Sequence, residues 1–283
     1  MTSFEVAANN YGKSRIRLVR VTRHAQQHEV KDISVDIQIE GDFDSVHTQG
    51  DNSKVLPTDT LKNTVYVLAG RQPVGEIEEF GQRLVEHFFV DNQQISQVRV
   101  GIEENLWQRI PIPGKPHPSA FLAGGNERRT ANIVGSRKGN FVRAGIADLL
   151  VLRTAGSGFS GYIKDALTTL PETSDRIFAT EVKADWSYPK SSIDFARCWQ
   201  SVRSALLETF ATHSSESVQH TLYAMAEVAL ERNQEVSEIR LSMPNKHHHV
   251  FDLTRFGMEN RNEVFIPTDE PYGLIEATVR RKL

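Results

Sequence analysis

The residues of this sequence whose types could carry chemistry are the glycines of Gly156-Ser157-Gly158-Phe159-Ser160-Gly161, the triplet His247-His248-His249, and the isolated Lys13 and Arg176. The glycine segment follows an apolar run and matches G-x-G-x-x-G. At the end of a strand and the start of a helix, that pattern lets a pyrophosphate lie on bare backbone, with an acid about twenty residues on, here Glu181, for a ribose. The next helix would be short and end at Pro171, and the chain lacks strand–helix–strand alternation. A structural turn, or a site built from other residues of this loop, is therefore the stronger reading. In the histidine triplet, alternate residues of a strand point to opposite faces, so at most His247 and His249 could share one ion. Zinc takes a further protein ligand, and the single Cys198 cannot supply a thiolate pair, so no metal is expected. Gly114-Lys115-Pro116-His117-Pro118 reads as a rigid loop, because proline fixes φ and restricts the residue before it. Taken singly, Thr58 reads as an N-cap, Lys13 as a solvated lysine, and Gln219 and Arg176 as ordinary polar residues.

The elements that must position these residues follow from periodicity. Ile33, Val35, Ile37 and Ile39 alternate with polar residues, which marks a strand with one wet face. Arg15 to Arg23 reads as a second strand whose alternation slips once at a bulge, with His24 to Lys31 as a long hairpin loop between the two. Thr58-Asp59-Thr60 before Leu61, Val65 and Leu68 predicts a helix. Pro73 opens another, with Ile77, Phe80, Leu84, Val85 and Phe88 on one face. Strands are expected over Val98–Ile102 and Ile133–Val142. Strands Ile146–Leu152 and Arg176–Trp186, helices Phe195–Phe210 and Ser217–Leu230, and strands Val236–Met243 and Gly273–Arg280 repeat that order. The fold class is therefore α+β, with domains expected over residues 1–140 and 141–283. Sheets with wet faces and open edges favour association with copies of the same chain.

Composition excludes several classes of function. The chain has 283 residues, 39% hydrophobic and 24% charged, enough to bury a core and too apolar for disorder. Its 33 basic and 36 acidic residues give a net charge of −3, which argues against a nucleic-acid partner. No apolar run approaches the roughly 18 residues of a membrane span. Met1-Thr2-Ser3-Phe4-Glu5 lacks the basic and apolar regions of a secretory signal, so a cytoplasmic protein is expected.

A set of short segments in order along the chain is more specific than any one of them. They are Tyr11-Gly12-Lys13; Asp51-Asn52-Ser53 with Thr58 to Thr64; Gly114 to Pro118; Ser157-Gly158-Phe159; and Thr168-Thr169-Leu170 with Asp175-Arg176-Ile177. Ser217-Val218-Gln219, Pro244-Asn245-Lys246-His247 and Tyr272-Gly273-Leu274-Ile275 complete it. Together they resemble the urate oxidase (uricase) family over nearly the whole chain. The resemblance implies tandem T-fold (tunnelling-fold) domains, each an antiparallel four-stranded sheet with two helices. It also implies a tunnel-shaped homotetramer with active sites between subunits. The implied reaction takes urate, O₂ and water to 5-hydroxyisourate and H₂O₂, with no metal or organic cofactor.

Carried over residue by residue, the resemblance gives Arg176 and Gln219 the edges of the purine, through a charged fork and an amide. Phe159 would stack on the ring. The backbone at Val218 and the side chain of Ile275 would complete the pocket. From a neighbouring subunit, Lys13 and Thr58 would form a proton relay, with the Asp59 backbone near the purine. Asn245 would hold O₂ or water, and His247 would steady the relay. The chain departs from the family's usual lysine at Arg153, small hydroxyl residue at Ala155 and aromatic residue at Leu167, while His248 and His249 stand where some members have aromatics. The C-terminal Arg281-Lys282-Leu283 lacks the small first residue of a peroxisomal tripeptide. Two rivals are a T-fold relative that binds a purine or pterin for other chemistry, and a non-catalytic purine-binding oligomer.

Overall fold

The computed structural model describes residues 4–189 and 193–282, so Met1–Ser3 and Leu283 of the terminal readings lie outside the described residues. The fold is α+β, as expected. The first half contains β1 (Tyr11–Arg23), β2 (His28–Gly41), α1 (Asp44–Gln49), α2 (Thr58–Arg71), α3 (Ile77–Val90), β3 (Ile95–Ile112) and β4 (Lys115–Ser136). The second contains β5 (Gly139–Arg153), β6 (Phe178–Tyr188), α4 (Phe195–Thr212), α5 (Val218–Arg232), β7 (Glu238–Val250) and β8 (Phe265–Arg280). The strands hydrogen-bond in chain order. Two compact units result, residues 1–145 with 187–196 and residues 146–186 with 197–283, and β5 runs through both.

In the first unit α2 packs on β1, and α3 on β3 and β4. Ile33, Val35, Ile37 and Ile39 lie on the covered face of β2 and are fully buried. Each contributes roughly 1.5–3 kcal/mol by leaving water. From the other side Leu61 and Val65 of α2, and Ile77, Phe80, Leu84, Val85 and Phe88 of α3, complete this core. In the second unit α5 packs on β7 and β8 through Leu222, Met225, Ala226 and Ala229.

Several boundaries differ from the sequence reading, each for a local reason. The hairpin loop spans only residues 24–27, because His28 to Lys31 pair with β1 despite their polarity. Backbone groups form the ladder, and a wet sheet face tolerates polar side chains. The register shift in β1 lies between Lys13 and Ile16, upstream of the expected slip, and Val19 is simply an exposed apolar residue. Helix α3 starts at Ile77 and not at Pro73, since Gly75 takes a left-handed φ of 64° that a helix cannot include. The single strand expected over 133–142 is two strands joined by a turn at Arg137-Lys138, with apolar residues on both sides disguising the break. Lys115 to Pro118 open β4 and are not a loop; the turn is at Pro113-Gly114. There the His117 Nδ1 accepts from the Ser119 and Ala120 N–H groups at 3.2 and 2.9 Å, a local structural use of that ring.

The first core also holds a buried ion cluster. Arg129 of β4 donates to Glu78 of α3 at 2.7 Å and pairs with Glu76 just before that helix. Burial pushes the Glu78 carboxyl up to about 6, and the Arg129 charge opposes the rise. Glu78→Ala removes a carboxylate that holds a buried guanidinium and is expected to cost about 3 kcal/mol. A lower denaturant midpoint at unchanged slope is the predicted observation, and an unchanged midpoint would refute it.

Candidate active site

The candidate residues fall into two groups, one on each compact unit. In the first unit, Lys13 precedes the register shift in β1, and Thr58 and Asp59 open α2. One hydrogen bond ties β1 to the segment that enters α2, and a ring contact ties it to the N-cap of α1. The Leu56 N–H donates to the Tyr11 hydroxyl at 3.1 Å, and the Tyr11 ring meets Phe43 edge-on at 5.0 Å. Gly12 lies so close to β2 that a Cβ there would come within 1.8 Å of the Ile37 carbonyl oxygen. This accounts for a glycine between Tyr11 and Lys13. The charge of Lys13 reaches Asp59, whose carboxyl is held below its usual range chiefly by a hydrogen bond from Lys62. The N-cap of α2 is Pro57 and carries no side-chain cap bond, so Thr58 is not the expected cap. Thr58 is an exposed residue.

In the second unit, Phe159, Arg176, Asn245 and His247 line one cavity of about 620 Å³, together with Leu170 and Asn262. The Arg176 guanidinium lies 5.3 Å from the centre of the Phe159 ring, within cation–π range. Tyr162 stacks on the same ring at 4.8 Å with 16° between planes. Burial lowers the pKa of Arg176 and is its one resolved cause. Arg176 sits two residues before β6, not at its first residue, so it hangs from a loop.

The loop around Phe159 is held by backbone bonds, with glycine for conformation and not for phosphate. The Phe159 N–H donates to the Thr173 carbonyl at 2.8 Å, and the Thr173 N–H returns a bond at 3.1 Å. The Asp175 carboxylate accepts from the N–H groups of Gly156 and Ser157 at 2.6 and 3.2 Å. The Gly158 N–H donates to the Ser215 carbonyl at 2.8 Å. Ser215 leads directly into Ser217, whose hydroxyl caps α5 by accepting from the His220 N–H at 3.1 Å. Val218 and Gln219 are then the first two residues of α5. N–H groups of a first helical turn have no partner inside the helix, which leaves them for a ligand. Val218 is buried and Gln219 exposed.

On the paired strands, Asn245 faces Gly273 and Met243 faces Ile275. A Cβ on Gly273 would lie 3.6 Å from the Ile275 side chain and 3.9 Å from that of Asn245, so these two flank the same glycine. The His247 and His249 rings stack at 5.8 Å, as alternation requires. Burial lowers the pKa of His247 most, with His249, Arg176 and His248 adding to the effect. A neutral imidazole beside Arg176 can accept or donate a hydrogen bond. Among the described residues no group of three or more metal-ligating side chains converges.

Sequence reasoning passed over Tyr162, Thr173 and Ser215, whose contributions are stacking or backbone contact. Asp175 was legible only as the neighbour of Arg176.

Comparison with known proteins bears on this geometry. The family model described as Uricase matches residues 9–134 and 142–276. A uricase of Arthrobacter globiformis is 43% identical over 281 residues, covering 99% of this chain and 91% of that protein. A uricase of Oryctolagus cuniculus is 37% identical over 286 residues, covering 99% of this chain and 95% of that one. The crystal structure of uricase from Arthrobacter globiformis superposes with a TM-score of 0.95, covering 99% of this chain and 96% of that structure.

Proposed function

The chain belongs to the uricase family, and from that premise we propose that its two groups of residues divide the work on urate into binding and proton transfer. The chain is a urate oxidase that converts urate, O₂ and water to 5-hydroxyisourate and H₂O₂. Urate is flat, anionic near neutrality and edged with alternating donors and acceptors. Arg176 takes one edge through two parallel charge-assisted hydrogen bonds, and the Gln219 amide reads the adjacent edge. Phe159 offers a ring face, Ile275 closes the pocket, and the first-turn backbone at Val218 donates.

Lys13 and Thr58 relay a proton from urate, because a hydroxyl alone is a poor base and a nearby amine completes the path. The Asp59 backbone meets the purine beside them. Asn245, with Thr58, holds O₂ or water above the ring, and His247 orients the relay. Deprotonated urate is electron-rich enough to pass electrons to O₂ itself, so no metal or organic cofactor is required. The active form in this proposal is a cytoplasmic homotetramer with its sites between subunits. Among the described residues no helix is long and apolar enough to cross a membrane.

Arg176 carries the reading. A guanidinium that burial disfavours, over an aromatic ring at a cavity, is suited to take a planar anion. The test follows the near-ultraviolet absorbance of urate and the H₂O₂ formed, in exhaustively chelated buffer. Equal amounts lost and formed are expected, and a requirement for added copper, iron or flavin would contradict the cofactor-free reaction. In the same assay Arg176→Ala should raise KM about 10- to 100-fold, the equivalent of losing a charge-assisted contact of about 1.5–3 kcal/mol. Unchanged KM and kcat would remove Arg176 from the site.

A further inference from the structure

Arg153, the last residue of β5, does not line the cavity, yet its guanidinium ties the root of the Phe159 loop, which does, to the end of α4. Nε donates to the Ala155 carbonyl at 2.8 Å, Nη1 to the carbonyls of Phe210, at 3.1 Å, and His213, and Nη2 to the Gly156 carbonyl. Phe210 lies in the last turn of α4 and His213 just past its end. Final carbonyls there lack intrahelical donors and carry the negative end of the helix dipole, which a cation satisfies. The same fork grips Ala155 and Gly156, the root of the Phe159 loop.

From Gly156 the hold spreads in two directions. Its N–H goes to Asp175, next to Arg176, and its carbonyl accepts from the Ser215 N–H at 3.1 Å, on the turn leading to Val218 and Gln219. Resting on the urate-binding role given to Phe159 above, we propose that Arg153 is a positioning residue for the urate pocket. It sets the stacking ring, the purine-edge arginine and the helix that reads the other edge relative to one another. Four acceptors on two segments distant in sequence suit a planar fork of five N–H groups. A lysine ammonium presents three from a single point. Gly156 is part of the device: its φ is 75°, and a Cβ there would come within 2.2 Å of Arg153 Nη2.

The experiment uses the intact enzyme. Arg153→Ala should raise KM for urate about tenfold while kcat changes less, because small misplacements of binding groups are costly. Amide hydrogen exchange at Gly158 and Phe159 should accelerate, with native mass retained. Arg153→Lys should recover only part of the loss, and Gly156→Ala should reproduce it by displacing the guanidinium. A lower Tm with KM and exchange both unchanged would overturn the proposal and leave Arg153 a structural residue only. Faster exchange with unchanged KM would support the hold on the loop and overturn the role of Phe159 instead, which Phe159→Ala checks separately. Should Arg153→Ala not fold, Arg153→Lys carries the test, and a wild-type KM in that variant would overturn the proposal.

Discussion

Lys13→Met binds urate with nearly wild-type affinity and turns it over about 10²- to 10⁴-fold more slowly, the usual size of a general-base contribution. The expectation rests on the separation of roles. Arg176, Phe159, Asn245 and His247 line the cavity of the second unit, and Lys13 belongs to the first, beside the helix start that carries Thr58 and Asp59. Methionine keeps the length and apolar stem of lysine while removing the amine. The β1–β2 pairing at Lys13 is a backbone feature that survives the change. Equilibrium binding of urate and single-turnover rates measure the two quantities independently. A variant that binds urate weakly but turns over normally at saturation would make Lys13 a binding residue and end the relay model.

Two impaired variants, Lys13→Met and Arg176→Ala, recover activity when refolded together and assayed at urate concentrations well below the raised KM of Arg176→Ala. If each site takes Lys13 from one subunit and Arg176 from its partner, a mixed pair has one interface site with both lesions and one with neither. Random mixing makes roughly half the pairs mixed, so about a quarter of all sites revive, by the symmetry of an isologous contact. A site contained within one chain keeps its lesion in every copy and cannot be rescued. Zero recovery, with native mass spectra showing that mixed oligomers formed, would sink the shared site.

Much of this was legible in the sequence. The alternation of Ile33 to Ile39 required a half-buried strand, and the spacing of Ile77, Phe80, Leu84, Val85 and Phe88 required a helix with one buried face. Both follow from the fixed periods of the backbone, which side-chain polarity reports directly. The family was legible because eight short segments stand in order along the chain, and the Uricase family model spans the same stretch. The hairpin at Arg137-Lys138 and the pairing of His28 to Lys31 were not legible, because ladder hydrogen bonds are made by atoms that every residue has.

Tertiary structure alone decided how the pocket is held. Nothing local distinguishes Tyr11, which ties β1 to the entry of α2, from any other strand tyrosine. Pro57 displaces Thr58 from the capping role that its residue type favours, which only the helix boundary reveals. Arg153 is the clearest case. Its partners are four main-chain carbonyls, two of them more than fifty residues away, and a carbonyl has no letter in the sequence. Side-chain types and spacing record which residues must be buried and which can react. The backbone groups that set those residues against one another become identifiable only when the folded chain brings them within hydrogen-bonding distance.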